Sequence, residues 1–278
     1  MARRNHARHQ QGTGTVPPRR GEQPAADRRN FLMRVTLLRD RVESFAEYPF
    51  NIPAIGGLDE LDFDRPVTFL IGENGAGKST LLEAIAVGSG LNPEGGSRNF
   101  NFSTRASHSR LADVLRRSRS ARRVRDSYFL RAESYFNVAT EIEKLDSEPG
   151  GPPIIGSYGG KSLHEQSHGG SFFALFMNRL RGDGFYLFDE PEAALSPQRQ
   201  LAFLSRMHEL VGEGCQFLIA THSPILMAYP NATIYLLADG PPRQIAYQDT
   251  EHFTVTRNFL NRTEQMLDIL LDRPAESG

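Results

Sequence analysis

Residues 72–79 read Gly72, Glu73, Asn74, Gly75, Ala76, Gly77, Lys78 and Ser79, the pattern G-x-x-x-x-G-K-[ST] without a gap. Nothing else in the chain restricts its fold as much, because such a loop works only between a buried strand and the N-terminus of a helix. Both flanks comply: residues 67–71 (VTFLI) are a short apolar run of strand type, and residues 79–86 (STLLEAIA) carry helical spacing. The residue types follow from charge. A triphosphate is held best by successive backbone N–H groups curled around it, and Gly72, Gly75 and Gly77 permit that curl. The helix N-terminus adds its partial positive charge. Lys78 is placed to reach the β- and γ-phosphates, Ser79 to give a hydroxyl oxygen to Mg²⁺, and Thr80 to add a second hydroxyl near the α-phosphate. Glu73, Asn74 and Ala76 complete the backbone cradle. The loop therefore marks a nucleoside triphosphate site.

The rest of the chain extends this unit into an α/β fold of the P-loop NTPase kind, a mostly parallel sheet covered by helices. Residues 31–38, 185–188 and 217–220 read as further strands. Residues 197–211 read as the helix between the last two, with Pro197 in its first turn. Residues 233–237 and 244–247 look like a closing pair of strands, and 255–271 a terminal helix. Between 88 and 165 the sequence turns Ser-, Asn- and Arg-rich, with helical stretches at 110–119 and 137–145 and a Pro/Gly break at 148–153. This segment is expected to be a small helical arm subdomain inserted into one domain of 31–278. Residues 1–30 lack large apolar side chains and are expected to be a disordered basic tail.

Composition supports one sizeable core, with 39% hydrophobic residues in 278. The net charge of −1 hides a tail with seven arginines against Glu22 and Asp27, so the remainder stands near −6. No global attraction to nucleic acid or membrane follows. The single cysteine, Cys215, lies in an apolar run and reads as a buried thiol in a reducing compartment. With no apolar run of membrane-spanning length and no signal-peptide core, a cytoplasmic protein without direct membrane insertion is expected. Arg110, Arg116, Arg117, Arg119, Arg122, Arg123 and Arg125 form a basic patch, a candidate surface for nucleic acid or an acidic protein, or simply a solvated face.

The second half of the site is the run 185–190, an apolar strand ending in Asp189 and Glu190. Asp189 is placed to hold Mg²⁺. Glu190, pointing the other way in strand geometry, is placed to act as general base on the water that attacks the γ-phosphate.

The run FDEPEAALSP at 188–197, followed by ATHSP at 220–224, resembles the hydrolytic core of the ATP-binding-cassette class of P-loop ATPases, which includes soluble AAA-type ATPases and the heads of DNA-repair and chromosome-maintenance proteins. The resemblance spans roughly residues 60–230. It implies ATP as the nucleotide, and no guanine-reading Asn-Lys-x-Asp motif opposes this. It implies that His222 is a switch contacting the γ-phosphate and that Ala194, Leu195 and Ser196 form an interface loop. It also implies a signature segment that clamps ATP held by a second copy. The candidate is residues 166–171, with Ser167 and Gly169 matching, His168 and Gly170 departing from the pattern, and a helix following at 172–180. Tyr48 or Phe50 is a candidate adenine platform, and Glu133 the substitute for a missing Gln-loop residue.

Together these imply an Mg-dependent ATPase that forms an ATP-dependent homodimer and drives a conformational change in an unknown protein partner. Lys78, Glu190 and His222 are its expected catalytic residues. Two alternatives share the same motifs: the ATP-binding subunit of a membrane transporter, and a compact DNA-associated ATPase. A third is an ATP-operated clamp that barely hydrolyses.

Overall fold

The five residues before the phosphate loop are buried throughout, and their side chains leave the strand toward two different cores. A strand covered on both faces reads as a continuous apolar run, which is why VTFLI shows no polar alternation. The structure is a computed structural model that describes residues 30–93, 95–97, 110–131 and 168–272. Its strands are β1 (Leu32–Leu37), β2 (Glu60–Asp62), β3 (Val67–Ile71), β4 (Gly96–Ser97), β5 (Leu115–Arg119), β6 (Asp126–Arg131), β7 (Gly184–Asp189), β8 (Gln216–Ala220), β9 (Thr233–Ala238) and β10 (Gly240–Gln244). The helices longer than one turn are α1 (Lys78–Gly88), α2 (His168–Arg179), α3 (Pro197–Gly212), α4 (Glu251–Asn261) and α5 (Thr263–Leu270).

Among the described residues the strands form two sheets, one of seven in the order β10-β9-β3-β8-β7-β6-β4 and one of three in the order β2-β1-β5. In the larger sheet β9, β3, β8, β7 and β6 run parallel, and the edges β10 and β4 are antiparallel. One face carries Val67, Phe69, Tyr186 and Phe188 against Phe172 and Phe176 of α2 and Phe203 and Met207 of α3. Phe176 and Phe203 stack at 3.9 Å and fasten those helices together. The other face carries Leu70, Phe185, Leu187 and Leu218 against Leu81, Leu82 and Ile85 of α1 and against Leu32, Val35 and Leu37 of the small sheet. Gln216, 1% exposed in β8, bridges the two sheets: its side-chain amide accepts from the Leu32 N–H at 2.9 Å and donates to the Leu32 carbonyl at 2.8 Å.

The expected α/β architecture is present, with several differences in detail. Residues 110–119 are not a helix. A single turn at Leu111–Val114 leads into β5, which pairs antiparallel with β1 from Leu37↔Leu115 to Leu32↔Arg119. Leu111, Val114 and Leu115 have helical spacing, but the open edge of β1 offers a ladder that an arginine-rich helix cannot match. Within segment 88–165, β5 and β6 thus belong to the two sheets, and the stretch 137–145 lies outside the described residues, as does the tail 1–29. The closing hairpin uses 240–244 rather than 244–247, with Pro241 and Pro242 on an edge strand where missing N–H groups are tolerated. The terminal helix begins at Glu251, capped by the Thr250 side chain accepting from the Phe253 N–H, and breaks at Arg262 into α4 and α5. Helix α2 begins at His168, so residues 168–170 form its first turn rather than a loop ahead of it.

Candidate active site

The phosphate loop joins β3 to α1 in the expected order. Gly72 at φ 146° passes so close to β9 that a Cβ there would stand 2.1 Å from the Leu237 carbonyl oxygen. Gly77, at φ 95°, turns the chain into α1 beneath Ile52 and Ile55. Lys78 is 4% exposed and folds back over the loop, donating to the Gly72 and Glu73 carbonyls at 2.9 Å each. Burial pushes its pKa down, and the carboxylates of Glu190, Asp189 and Glu192 oppose that push.

Ser79 donates its hydroxyl to Asp189 Oδ1 at 2.9 Å, which brings together two residues 110 positions apart. A hydroxyl and one carboxylate in contact beside a phosphate loop suit Mg²⁺, which keeps several waters and takes most of its remaining ligands from phosphate. Among the described residues there is no group of three or more His, Cys, Asp or Glu that could hold a metal ion.

Strands β7 and β8 are parallel neighbours with Asp189 opposite Ala220, so the carboxylate pair and the histidine leave the sheet at the same level. Glu190 stands past the strand end in a left-handed conformation (φ 50°, ψ 53°), with its N–H donating to the Ala220 carbonyl at 2.9 Å. This turn, rather than strand alternation, aims its side chain: Glu190 Oε1 lies 3.6 Å from His222 Nε2. A non-glycine residue held at positive φ stores strain of the kind that collects at functional sites. Burial, then the Lys78 charge, lowers the His222 pKa, so its ring is neutral at pH 7.

Three residues of the site carry no sequence signal of comparable strength. Glu192 accepts a hydrogen bond from the His222 backbone N–H at 2.5 Å, and burial pushes its own pKa up. His252, from α4, sits with Nε2 3.0 Å from His222 Nδ1. Arg131, at the end of β6 opposite Asp189, donates to Glu83 at 2.9 Å and has Nε 3.5 Å from Asp189 Oδ2. Glu192 was visible as the third acid of the run DEPE, whereas His252 and Arg131 required the topology.

Of the remaining candidates, Tyr48 and Phe50 separate cleanly. Phe50 is 6% exposed in the core, while Tyr48 is 62% exposed with its hydroxyl 3.2 Å from Thr80 Oγ1. Tyr48 is the one available as a base platform. Ser167 and Glu133 lie outside the described residues, and Gly169 falls in the first turn of α2. Leu195 is buried and Ser196 caps α3, accepting from the Arg199 N–H at 3.4 Å. An open cleft of 1270 Å³ lies over residues 72–76 and is lined further by Glu190, His222, Arg243, Glu251 and His252.

Two family models match the chain: an AAA domain over residues 49–146, and an AAA domain described as putative AbiEii toxin, type IV toxin–antitoxin system, over residues 164–228. No curated protein matches. Solved structures similar in fold include cbiO1 from Clostridium perfringens, part of the ABC transporter complex cbiONQ (14% identity, 87% of this chain, 99% of that chain, TM-score 0.48). A putative metal-chelate type ABC transporter in an inward-facing conformation is another (15%, 82% and 88%, 0.47). The SMC head domain from Thermotoga maritima is a third (14%, 77% and 98%, 0.41). AAA-domain models thus match segments in both halves of the chain, and the phosphate loop, the paired carboxylates and the histidine that those segments carry meet in one cleft of a P-loop NTPase fold.

Proposed function

We propose that this protein binds Mg-ATP and hydrolyses it, and that two copies close head to tail around two ATP molecules to move a protein partner. The observation that carries the reading is the convergence of Ser79 on Asp189 and of Glu190 on His222 beside the phosphate loop. The loop N–H groups and Lys78 bind and orient the phosphates, with Lys78 exchanging its loop carbonyls for phosphate oxygens. Ser79 and Asp189 would hold Mg²⁺, which when bound offsets phosphate charge. Glu190 takes a proton from water as that oxygen attacks the γ-phosphorus and the bond to ADP breaks. His222 faces the same space and orients the water and the γ-phosphate. Tyr48 stacks on adenine, and residues 167–169 of the second copy complete the clamp.

Part of the arginine patch is engaged within the fold, while Arg116, Arg119 and Arg123 are exposed. Arg110 is paired with Glu43 and Glu47, Arg122 and Arg125 with Asp183, and Arg117 is tucked against Gly88 with a buried Nη1.

The test is Mg-dependent ATP hydrolysis across a range of protein concentrations, with Glu190→Gln as comparison and size in solution followed with ATP. The expected result is a rate per subunit that rises with concentration, and a Glu190→Gln variant that loses at least 100-fold in rate, on the order of a general base's contribution, and accumulates as an ATP-bound dimer. A rate independent of concentration would remove the sandwich, and retained activity in Glu190→Gln would remove its role as base.

A further inference from the structure

His252 lies in the first turn of α4, and its ring meets that of His222 with centroids 5.2 Å apart at 55°. Its Nε2 is 3.0 Å from His222 Nδ1, close enough for one hydrogen bond whose direction depends on the tautomers. Burial, then the Lys78 charge, lowers both pKa values, and Glu190 and Glu251 oppose this at His222 and His252 respectively. At neutral pH both rings are neutral, so a single N–H fills the gap.

The outer edges of the two rings decide which one donates. His222 Nε2 and His252 Nδ1 are both buried without a hydrogen-bond partner, and of the two only His222 Nε2 has a carboxylate before it, Glu190 Oε1 at 3.6 Å. If His222 donated, its bare Nε2 lone pair would face a carboxylate that can only accept. His252 would then carry its proton on Nδ1, an orphaned buried N–H of the kind folded proteins avoid. If His252 donates, the one outward N–H is His222 Nε2–H, which points at the Glu190 carboxylate and is attracted by its charge across 3.6 Å, and His252 Nδ1 is an unprotonated acceptor. The Glu192 hydrogen bond to the His222 backbone holds the ring's base in place.

We propose that His252 is a positioning residue, whose Nε2–H donates to His222 Nδ1 and fixes His222 as the Nε2–H tautomer that presents a donor to Glu190 and the γ-phosphate space. The proposal rests on the nucleotide-site reading of His222. It gives α4 a part in the reaction.

The experiment is nitrogen NMR of the ring tautomers in nucleotide-free protein labelled at its eight histidines, with His222 assigned through His222→Asn, together with ATPase kinetics. Wild type is expected to show His222 as Nε2–H. His252→Phe is expected to give a tautomer mixture at His222 and a fall in kcat of about 3- to 10-fold, the rate equivalent of one hydrogen bond, with KM for ATP unchanged. His252→Gln, whose side-chain N–H reaches the same place, restores the tautomer and most of kcat. A wild-type His222 protonated at Nδ1 overturns the proposal without any variant, and so does an Nε2–H tautomer that persists in His252→Phe. The tautomer is read without nucleotide, so a protein that proves not to hydrolyse ATP would overturn the proposed reaction and still decide this point.

Discussion

Glu192 stands three residues beyond Asp189 and serves the histidine rather than the phosphates. Its carboxylate is buried, accepts from the His222 backbone and is pushed up in pKa chiefly by loss of solvent. The folded protein therefore binds this proton more tightly than the unfolded chain does. The resulting stabilisation is full below the ordinary value of 4.5 and is lost as pH rises through the raised folded value. Glu192→Gln keeps an acceptor for the His222 N–H and removes the buried charge. Its Tm is expected to match wild type in acid and to exceed it increasingly as pH rises above 4.5, levelling off once Glu192 has ionised in the folded protein. Thermal melts of both proteins from pH 4 to 8 check this, and a wild type that gains on the variant with rising pH would reverse the assignment. The comparison also shows what was legible at this scale. Lys78, Ser79, Asp189 and Glu190 stand in short runs whose spacing states their chemistry, whereas Glu192 and His252 act through a backbone N–H and a ring edge that no local run encodes.

Elements were legible where their environment is uniform along the run. Strands β3, β7 and β8, buried on both faces, announce themselves as apolar runs, and α3 by its Ser196 cap and Pro197. Strand β5 was not legible, because its residues are mostly arginine and serine and its identity comes from the free edge of β1. The join between the two sheets was equally hidden, since Gln216 reads as an ordinary polar residue at a strand start. By accepting from and donating to Leu32, its amide imitates a neighbouring strand's backbone. Gln216→Leu, close in size, leaves a buried N–H and a buried carbonyl of β1 without those partners. A loss of about 2–3 kcal/mol is expected by denaturant unfolding. A loss under about 0.5 kcal/mol, the size of a neutral surface change, would show that the sheets are held by apolar packing alone.

At the scale of the whole molecule, the described residues divide into a sheet core and a C-terminal pair of helices with very different dependence on each other. Helices α4 and α5 have no buried residue, yet α4 lines one side of the cleft and supplies His252. A chain ended after Asp249 is expected to keep its secondary structure and most of its Tm while losing the His222–His252 contact. A chain ended after Gly212 lacks β8 and β9, the two strands that flank β3, and is expected to be insoluble. Partition into the soluble fraction and far-UV circular dichroism distinguish the two, and a soluble, folded 1–212 chain would contradict the topology.

The same neighbours set a schedule. From Ile71 at the end of β3 to Gln216 at the start of β8 the chain runs about 145 residues, which a ribosome adding 5–20 residues per second takes roughly 7 to 30 s to make. For that interval the apolar strand ahead of the phosphate loop has no sheet to join. Nucleotide cannot shelter it, because Asp189, Glu190 and His222 have yet to be translated for most of that time. The first motif in the chain is thus among the last to be assembled, and the nascent chain stays unpaired longest at the segment that leads into it.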